Sequence, residues 1–174
     1  PVRQKDAENI ARLHLLERPS RRIAPGRYRC YLSPSALEEV LQILAWDGFS
    51  EQGLQTRTSP LLRLKEGKDT LHPSVFLREN IAEGLSPRFS LEGFAKPDAV
   101  RLVEAGRYAG ALVSPRSAKE FQVEHNGAEA SEGPQALALS PGTLRAEDAL
   151  KALGTGLWIA NLWYLNHSDR AAGR

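Results

Sequence analysis

The sequence predicts an α+β fold, built on an antiparallel or mixed β-sheet with a few short helices. Short segments rich in branched and aromatic residues alternate with turn sequences such as EGKD, EGLSP and EHNG, which is typical of strands joined by turns. Residues 50–95 contain many glycines and prolines and little helical periodicity. With 174 residues, 41% of them hydrophobic, the chain is long enough for one domain with its own core.

The N-terminal stretch, residues 1–27, predicts a helix followed by a linker. Apolar side chains at Ile10, Leu13 and Leu16 recur at helical spacing, and two prolines then interrupt the chain. We therefore expect residues 28–174 to form the main domain.

An apolar run leads into a Ser-Pro pair three times, in RCYLSPS, GALVSPR and ALALSPG. Serine accepts a hydrogen bond from a free amide at a helix start, and proline fits the first helical position because it has no donor. The clearest helix is predicted after the first pair, over residues 35–46. Leu37, Val40 and Leu44 share one face of that helix, and Gly48 follows its end.

Further elements are predicted along the rest of the chain. Two helices are expected at residues 97–105 and 146–153, each closed by a glycine. Strands are expected at residues 61–64, 75–78, 108–113, 136–139 and 157–165. The last strand is apolar on both faces except at Asn161, and such a strand belongs in the interior of a sheet.

Both ends of the sequence suggest a longer protein. The chain begins with Pro1 and contains no methionine. An interior strand at residues 157–165 needs a neighbour on each edge, and the next strand would follow the final turn. We therefore expect the main domain to be a truncated C-terminal domain, incomplete at its C-terminal end.

Composition and charge indicate the partners to expect. The net charge is +2, without the dense basic stripe of a nucleic-acid-binding surface, so the charge does not favour a nucleic-acid partner. No apolar run approaches the ~18 residues of a membrane span, and no leader sequence is present, so no membrane partner is expected either. The single cysteine, Cys30, cannot form an internal disulfide, and we expect a buried thiol in a cytoplasmic protein.

Local spacing gives no complete catalytic or metal-binding motif. The four histidines form no HExxH, and GxSxG, GxGxxG and GxxxxGK[ST] are absent from the sequence. Two polar clusters, EHNGAE and NHSDR, could form the walls of a cleft or an interface, although polar turns would explain them equally well. The candidate peptide-binding or interface residues are Asn126, Asn166, Ser168, Asp169 and Arg170.

Several long segments resemble the TldD/PmbA family, also known as modulators of DNA gyrase. They are SPLLRL, FSLEGF, LVSPRSAKEF, EHNGAEASE and GLWIANLWYLNHSDRAAGR. The resemblance runs from residue 18 to residue 174 and is to the family's C-terminal domain. It implies a zinc protease formed from two related subunits, which matures peptides and degrades unfolded ones.

The resemblance also implies which subunit this chain is. The family's catalytic subunit carries HExxxH on a helix, with a cysteine further on as the third zinc ligand. In the corresponding helix of this chain, Gln42 and Asp47 replace the two histidines, and Ile43 replaces the general-base glutamate. A glutamine amide is a poor zinc ligand, and Ile43 cannot take a proton from water. The chain therefore resembles the non-catalytic PmbA/TldE-type subunit, with no cofactor of its own and with zinc expected in a TldD-like partner.

On this reading the chain pairs with a TldD-like subunit, or with a second copy of itself, and helps to hold an extended peptide substrate. Two alternatives remain open. One is a DNA- or gyrase-associated binding module, suggested by the early arginines and by the family's older label. The other is a peptidase with an unrecognised site.

Overall fold

The computed structural model describes residues 2–14, 17–170 and 172, and within them the fold is α+β, as the sequence predicts. The helices are Val2–Leu13 (α1), Pro34–Ala45 (α2), Glu51–Gln55 (α3), Leu62–Lys65 (α4), Pro115–Phe121 (α5) and Ala149–Leu153 (α6). The strands are Cys30–Leu32 (β1), Leu77–Glu79 (β2), Val100–Glu104 (β3), Arg107–Tyr108 (β4), Leu137–Leu139 (β5) and Leu157–Ile159 (β6). Leu16, which the predicted N-terminal helix includes, lies outside the described residues, as do Pro1, Gly173 and Arg174.

The main sheet is antiparallel and has four strands in the order β4-β3-β2-β5. Leu77 of β2 and both Leu102 and Val103 of β3 are buried, so the sheet is covered on both faces at its centre. Phe49, which is 0% exposed, packs in the same cluster. Leu44 of α2, one residue of the apolar face predicted for that helix, packs against this core.

A second, smaller sheet pairs β1 with β6 in parallel. Tyr31 and Trp158 are opposite each other in this pair, and their ring centroids are 4.3 Å apart. Cys30 at the start of β1 is exposed, so the prediction of a buried thiol is wrong. The reason is that β1 belongs to this small sheet, which leaves the thiol uncovered.

Two predicted elements have the opposite secondary structure. Residues 97–105, predicted as a helix, contain strand β3, and Gly106 closes a hairpin turn with a φ of 74° instead of ending a helix. Residues 61–64, predicted as a strand, lie in and beside helix α4, because Leu61 and Leu64 reach the core from one helical turn. Tertiary packing overrides local propensity in both cases.

The predicted interior strand at residues 157–165 is also wrong. Only Leu157–Ile159 pairs, and beyond it Trp163 and Tyr164 are 90% and 83% exposed. The neighbouring strand β1 ends where Ser33 donates its amide to Ile159 and Pro34 begins α2. Because proline has no backbone donor, the ladder stops there.

The predictions at residues 136–139 and 146–153 are confirmed by β5 and by a 3-10 turn, Ala146–Asp148, that leads into α6. None of the helices within the described residues is long and apolar enough to cross a membrane.

Candidate functional site

Helix α2 is held at its start by the Ser-Pro pair that the sequence predicts. The side chain of Ser33 accepts a hydrogen bond from the amide of Ala36 at 3.2 Å, and Pro34 occupies the first helical position. The helix therefore begins at a defined residue, which determines which of its side chains share a face.

The other end of α2 turns sharply into the core. A Cβ on Gly48 would lie 1.8 Å from the backbone oxygen of Leu44, so only glycine fits this position. Asp47, just before it, has a φ of 58°, in the left-handed region that aspartate tolerates better than most residues. The turn buries Phe49 and leaves Trp46 half-exposed at the end of the helix.

The C-terminal segment, residues 160–170, lies along α2 in the same direction as the helix. The amide of Leu162 donates to Glu39 Oε1 at 3.1 Å. Further on, Nε2 of His167 donates to the backbone oxygen of Ile43, also at 3.1 Å. That carbonyl is in the last turn of α2, where carbonyl groups need partners from outside the helix.

Arg170 completes this contact. Its guanidinium forms an ion pair with Asp47 and lies over the ring of Trp46, with Cζ 4.4 Å from the ring centroid. A cation is favoured there because the C-terminal end of a helix carries partial negative charge. Glu39 and Ile43 are four apart and lie on one side of α2, and Asp47 follows two residues after the helix ends.

Two grooves flank this contact. The smaller, of about 660 Å³, lies between α2 and the side chains of residues 164 and 165. It is lined by Glu39, Gln42, Ile43, Trp46, Tyr164 and Leu165. The larger, of about 990 Å³, is mostly apolar and lies between α2 and α4, with Leu165, Asn166 and His167 on one wall. Both grooves could hold apolar side chains of a peptide.

Gln42, Ile43 and Asp47, which the family resemblance aligns with HExxxH, do not fit a zinc ion. The amide of Gln42 donates to Glu38 Oε1 at 3.0 Å, and Asp47 is paired with Arg170. Ile43 offers only its backbone oxygen, which His167 uses. Residues 2–14, 17–170 and 172 contain no group of three or more His, Cys, Asp or Glu side chains that could hold a metal ion.

Four of the five candidate site residues lie in the segment beside α2. Arg170 contacts the helix directly. Asn166 accepts from the amide of His167 at 2.8 Å, and Asp169 accepts from the amide of Ala172 at 3.0 Å, so both shape the local backbone. Ser168 is exposed.

The fifth candidate residue, Asn126, lies in another part of the fold. Its Oδ1 accepts from the amide of Val113 at 2.9 Å, and its Nδ2 donates to the backbone oxygen of Ala111 at 2.8 Å. The cavity that Asn126 lines shares no residue with the two grooves beside α2. The structure therefore does not bring Asn126 together with Arg170.

Sequence reasoning missed the roles of Trp46, His167 and Glu39 in this site. The spacing of Glu39 and Ile43 on one face of the predicted helix was the available signal. The partner segment could not be identified, because it lies 123 residues further along the chain.

A second polar centre was also missed, at Glu132. This carboxylate is 1% exposed and accepts hydrogen bonds from the hydroxyl of Ser50 at 2.6 Å and from the amides of Gln52 and Ser114, both at 2.8 Å. Burial raises the pKa of Glu132, but these hydrogen bonds and one from Ser117 outweigh it and hold the pKa below its usual value. Since Ser50 and Ser114 cap α3 and α5, Glu132 joins the two helix starts.

Comparison with solved structures gives the same fold in three other proteins. A Thermotoga maritima protein described as a candidate modulator of a DNA gyrase is 22% identical over 88% of this chain and 36% of its own, with a TM-score of 0.72. A Bacteroides thetaiotaomicron protein with a similar description is 18% identical over 97% of this chain and 37% of its own (TM-score 0.70). TldE from Thermococcus kodakarensis is 19% identical over 83% and 35% (TM-score 0.64).

These three matches show the fold. The chain spans little more than a third of the length of each of the three structures. No curated protein matches it. A family model described as the PmbA/TldA metallopeptidase C-terminal domain matches residues 25–174. The chain therefore belongs to the PmbA/TldD family, of which it carries the C-terminal domain.

Proposed function

We propose that this chain is a PmbA/TldE-like, non-catalytic subunit of a zinc metalloprotease complex that acts on peptides, in their maturation or degradation. The observation that carries the proposal is the end of helix α2. There an amide, an alkyl side chain and an ion-paired carboxylate stand where a zinc protease of this family needs two histidines and a glutamate. The likeness to the fold of TldE supports the same reading.

In this role the chain shapes the path of the peptide without supplying the metal. The grooves beside α2 take side chains of the peptide, with Trp46 and Tyr164 as aromatic walls of the smaller one. Both strands of the β1–β6 pair have an outer edge with no strand beside it among the described residues, and an extended peptide adds to such an edge through backbone hydrogen bonds.

The partner that supplies zinc is a TldD-like subunit carrying HExxxH; a second copy of this chain is the alternative partner. We place the complex in the cytoplasm, where an exposed free thiol such as Cys30 stays reduced.

Zinc content and peptidase activity test the proposal. The full-length protein is purified alone and together with its TldD-like partner, and each sample is assayed with an unfolded peptide before and after chelation. We expect no zinc and no activity in the protein alone, and chelator-sensitive activity in the complex. Stoichiometric zinc with chelator-sensitive activity in the protein alone would overturn the proposal and favour a peptidase with an unrecognised site.

The second candidate function is a DNA- or gyrase-associated module. It is favoured by the gyrase-related descriptions of two similar structures and by the exposed arginines between residues 18 and 29. Titration with duplex DNA at several salt concentrations decides between the two. An affinity for DNA that falls steeply as salt is added favours the DNA-binding function. A weak affinity that does not depend on salt rules that function out.

A further inference from the structure

A small cavity lies beside the main sheet, away from helix α2. Its apolar lining comes from Ile81, Pro97, Val100, Leu112 and Ala128, and its polar lining from Glu79, Lys96, Asn126, Glu129 and Gln135. The cavity leaves about 20 Å³ for the centres of water-sized molecules. A single water needs roughly 10–15 Å³ measured in this way, so the space suits one water-sized molecule.

Glu79 is the residue in this cavity whose hydrogen bonds are incomplete. It is 4% exposed, at the end of strand β2. Its Oε1 accepts from the amides of Gln135 and Ala136, at 2.8 and 3.0 Å. Its Oε2 is buried and has no hydrogen-bond partner among the described residues. A buried carboxylate oxygen without a donor is costly, so a donor from outside the chain is favoured.

Lys96, Glu129 and Asn126, which also line the cavity, already have partners. Nζ of Lys96 lies 2.6 Å from Glu129 Oε1 and 2.8 Å from Gln135 Oε1, so its charge is used by those two residues. Both amide atoms of Asn126 are bonded to the backbone. The ammonium of Lys96 also lines the cavity, and its charge disfavours a second cation there. A neutral donor fits this environment best.

We propose that this cavity binds one ordered water molecule, which donates a hydrogen bond to Glu79 Oε2. Buried waters make about three hydrogen bonds, and the polar lining offers further acceptors for the second hydrogen. The water completes the link between strand β2 and the segment 124–136. That segment also carries Glu129 and Glu132, so the water supports the part of the chain that holds α3 and α5 together.

Magnetisation transfer in solution detects such a water directly. In the isotopically labelled protein, a long-lived water beside Glu79 gives a nuclear Overhauser effect from water to the amide hydrogens of Gln135 and Ala136. We expect this signal in the unmodified protein. Its absence would overturn the proposal, and this readout needs no substitution.

Filling the cavity gives a second, independent readout. Ala128→Val adds two methyl groups beside the space, whereas Ala109→Val adds them at an exposed position outside it. If water is displaced, Glu79 Oε2 loses its donor, so we expect the first variant to lose the signal at Gln135 and to melt about 3–6 °C lower than the unmodified protein. An unchanged or higher melting temperature for Ala128→Val would indicate a dry cavity and contradict the proposal.

The same melting experiment distinguishes water from a bound ion. Sodium, potassium, ammonium and choline chlorides are compared at equal ionic strength. We expect equal melting temperatures in all four salts. If the melting temperature is higher in the chloride of one small cation alone, that cation occupies the cavity in place of water, and the proposal is overturned.

Discussion

Arg170 and Asp47 lie 123 residues apart in the chain and form an ion pair at the C-terminal end of helix α2. The guanidinium also covers the ring of Trp46. Together with the hydrogen bonds at Glu39 and Ile43, this pair places the polar C-terminal segment against helix α2, which under the proposed function corresponds to the HExxxH helix of a catalytic subunit.

Replacing Arg170 with alanine releases the C-terminal segment from α2. Both side chains of the pair are about one third exposed, so we expect a loss of only about 0.5–1.5 kcal/mol in the free energy of unfolding. Faster amide hydrogen exchange at residues 162–170 is the measurement. Arg145→Ala, which removes a more exposed pair with Glu147, is the control and leaves that exchange unchanged. Equal rates of amide hydrogen exchange at residues 162–170 in the two variants would show that Arg170 does not hold the C-terminal segment against α2.

Replacing Glu132 with glutamine destabilises the domain. The buried carboxylate accepts hydrogen bonds from two helix starts. In glutamine, an NH2 group replaces one of the two accepting oxygens, so some of the hydroxyl and amide donors lose their acceptor. We expect a loss of about 2–4 kcal/mol, measured by urea unfolding. Glu120→Gln makes the same chemical change at an exposed position of α5 and serves as control. Similar stabilities for the two variants would show that Glu132 does not have this role.

The titration of Glu132 makes the free energy of unfolding depend on pH. Because its folded pKa is below the usual value, the unfolded chain binds the proton first as the pH falls. Its contribution is therefore complete above the unfolded pKa of about 4.3 and is lost as the pH falls through the folded pKa. We expect the unmodified protein to lose stability more steeply below about pH 4 than Glu132→Gln does. Parallel curves for the two proteins would contradict this.

Gly48→Ala disrupts the end of α2. The added Cβ would meet the backbone oxygen of Leu44 at 1.8 Å, and backbone cannot move aside as a flexible side chain can. We expect a loss of about 3 kcal/mol or more, measured by thermal unfolding. Gly142→Ala is the control, because nothing lies within 4 Å of a Cβ there. A tolerated Gly48→Ala would show that the turn can relax.

Trp46→Ala weakens peptide binding if the smaller groove holds a side chain of the substrate. Trp46 is a wall of that groove, whereas Trp163 is 90% exposed and lines neither groove beside α2. In the complex with the zinc-bearing partner, we expect Trp46→Ala to raise the KM for a peptide about tenfold. Trp163→Ala should leave KM unchanged. Equal KM values for the two variants would place the peptide elsewhere.

The sequence predicted the elements that local chemistry determines. Helix α2 follows from Ser33, Pro34 and an apolar face, all within a few residues of one another. Strand β3 was mistaken for a helix because Leu102 and Val103 are both buried, which removes the alternation that marks a strand. Local sequence does not reveal that both faces of the sheet are packed, because the residues that pack against them come from distant parts of the chain.

The candidate site also has parts that could be predicted from the sequence and parts that could not. The NHSDR cluster was identified as a local polar pattern, and the HExxxH position was inferred separately, from the resemblance to the family. Their contact through Arg170 and Asp47 could not be predicted, since no local pattern relates residues so far apart. Asn126 was proposed from a second local polar cluster, EHNGAE, and its bonds to Ala111 and Val113 place it elsewhere.

The parallel pairing of β1 with β6 constrains the order in which a newly made chain can fold. Ser33 and Ala160, which meet at the end of this pair, are 127 residues apart. While the ribosome extends the chain, β1 therefore stays without its neighbour until β6 has left the exit tunnel, after the main sheet has all its strands. Such a late, long-range closure is slow, and chaperones that cover single exposed strands would act on this stretch first.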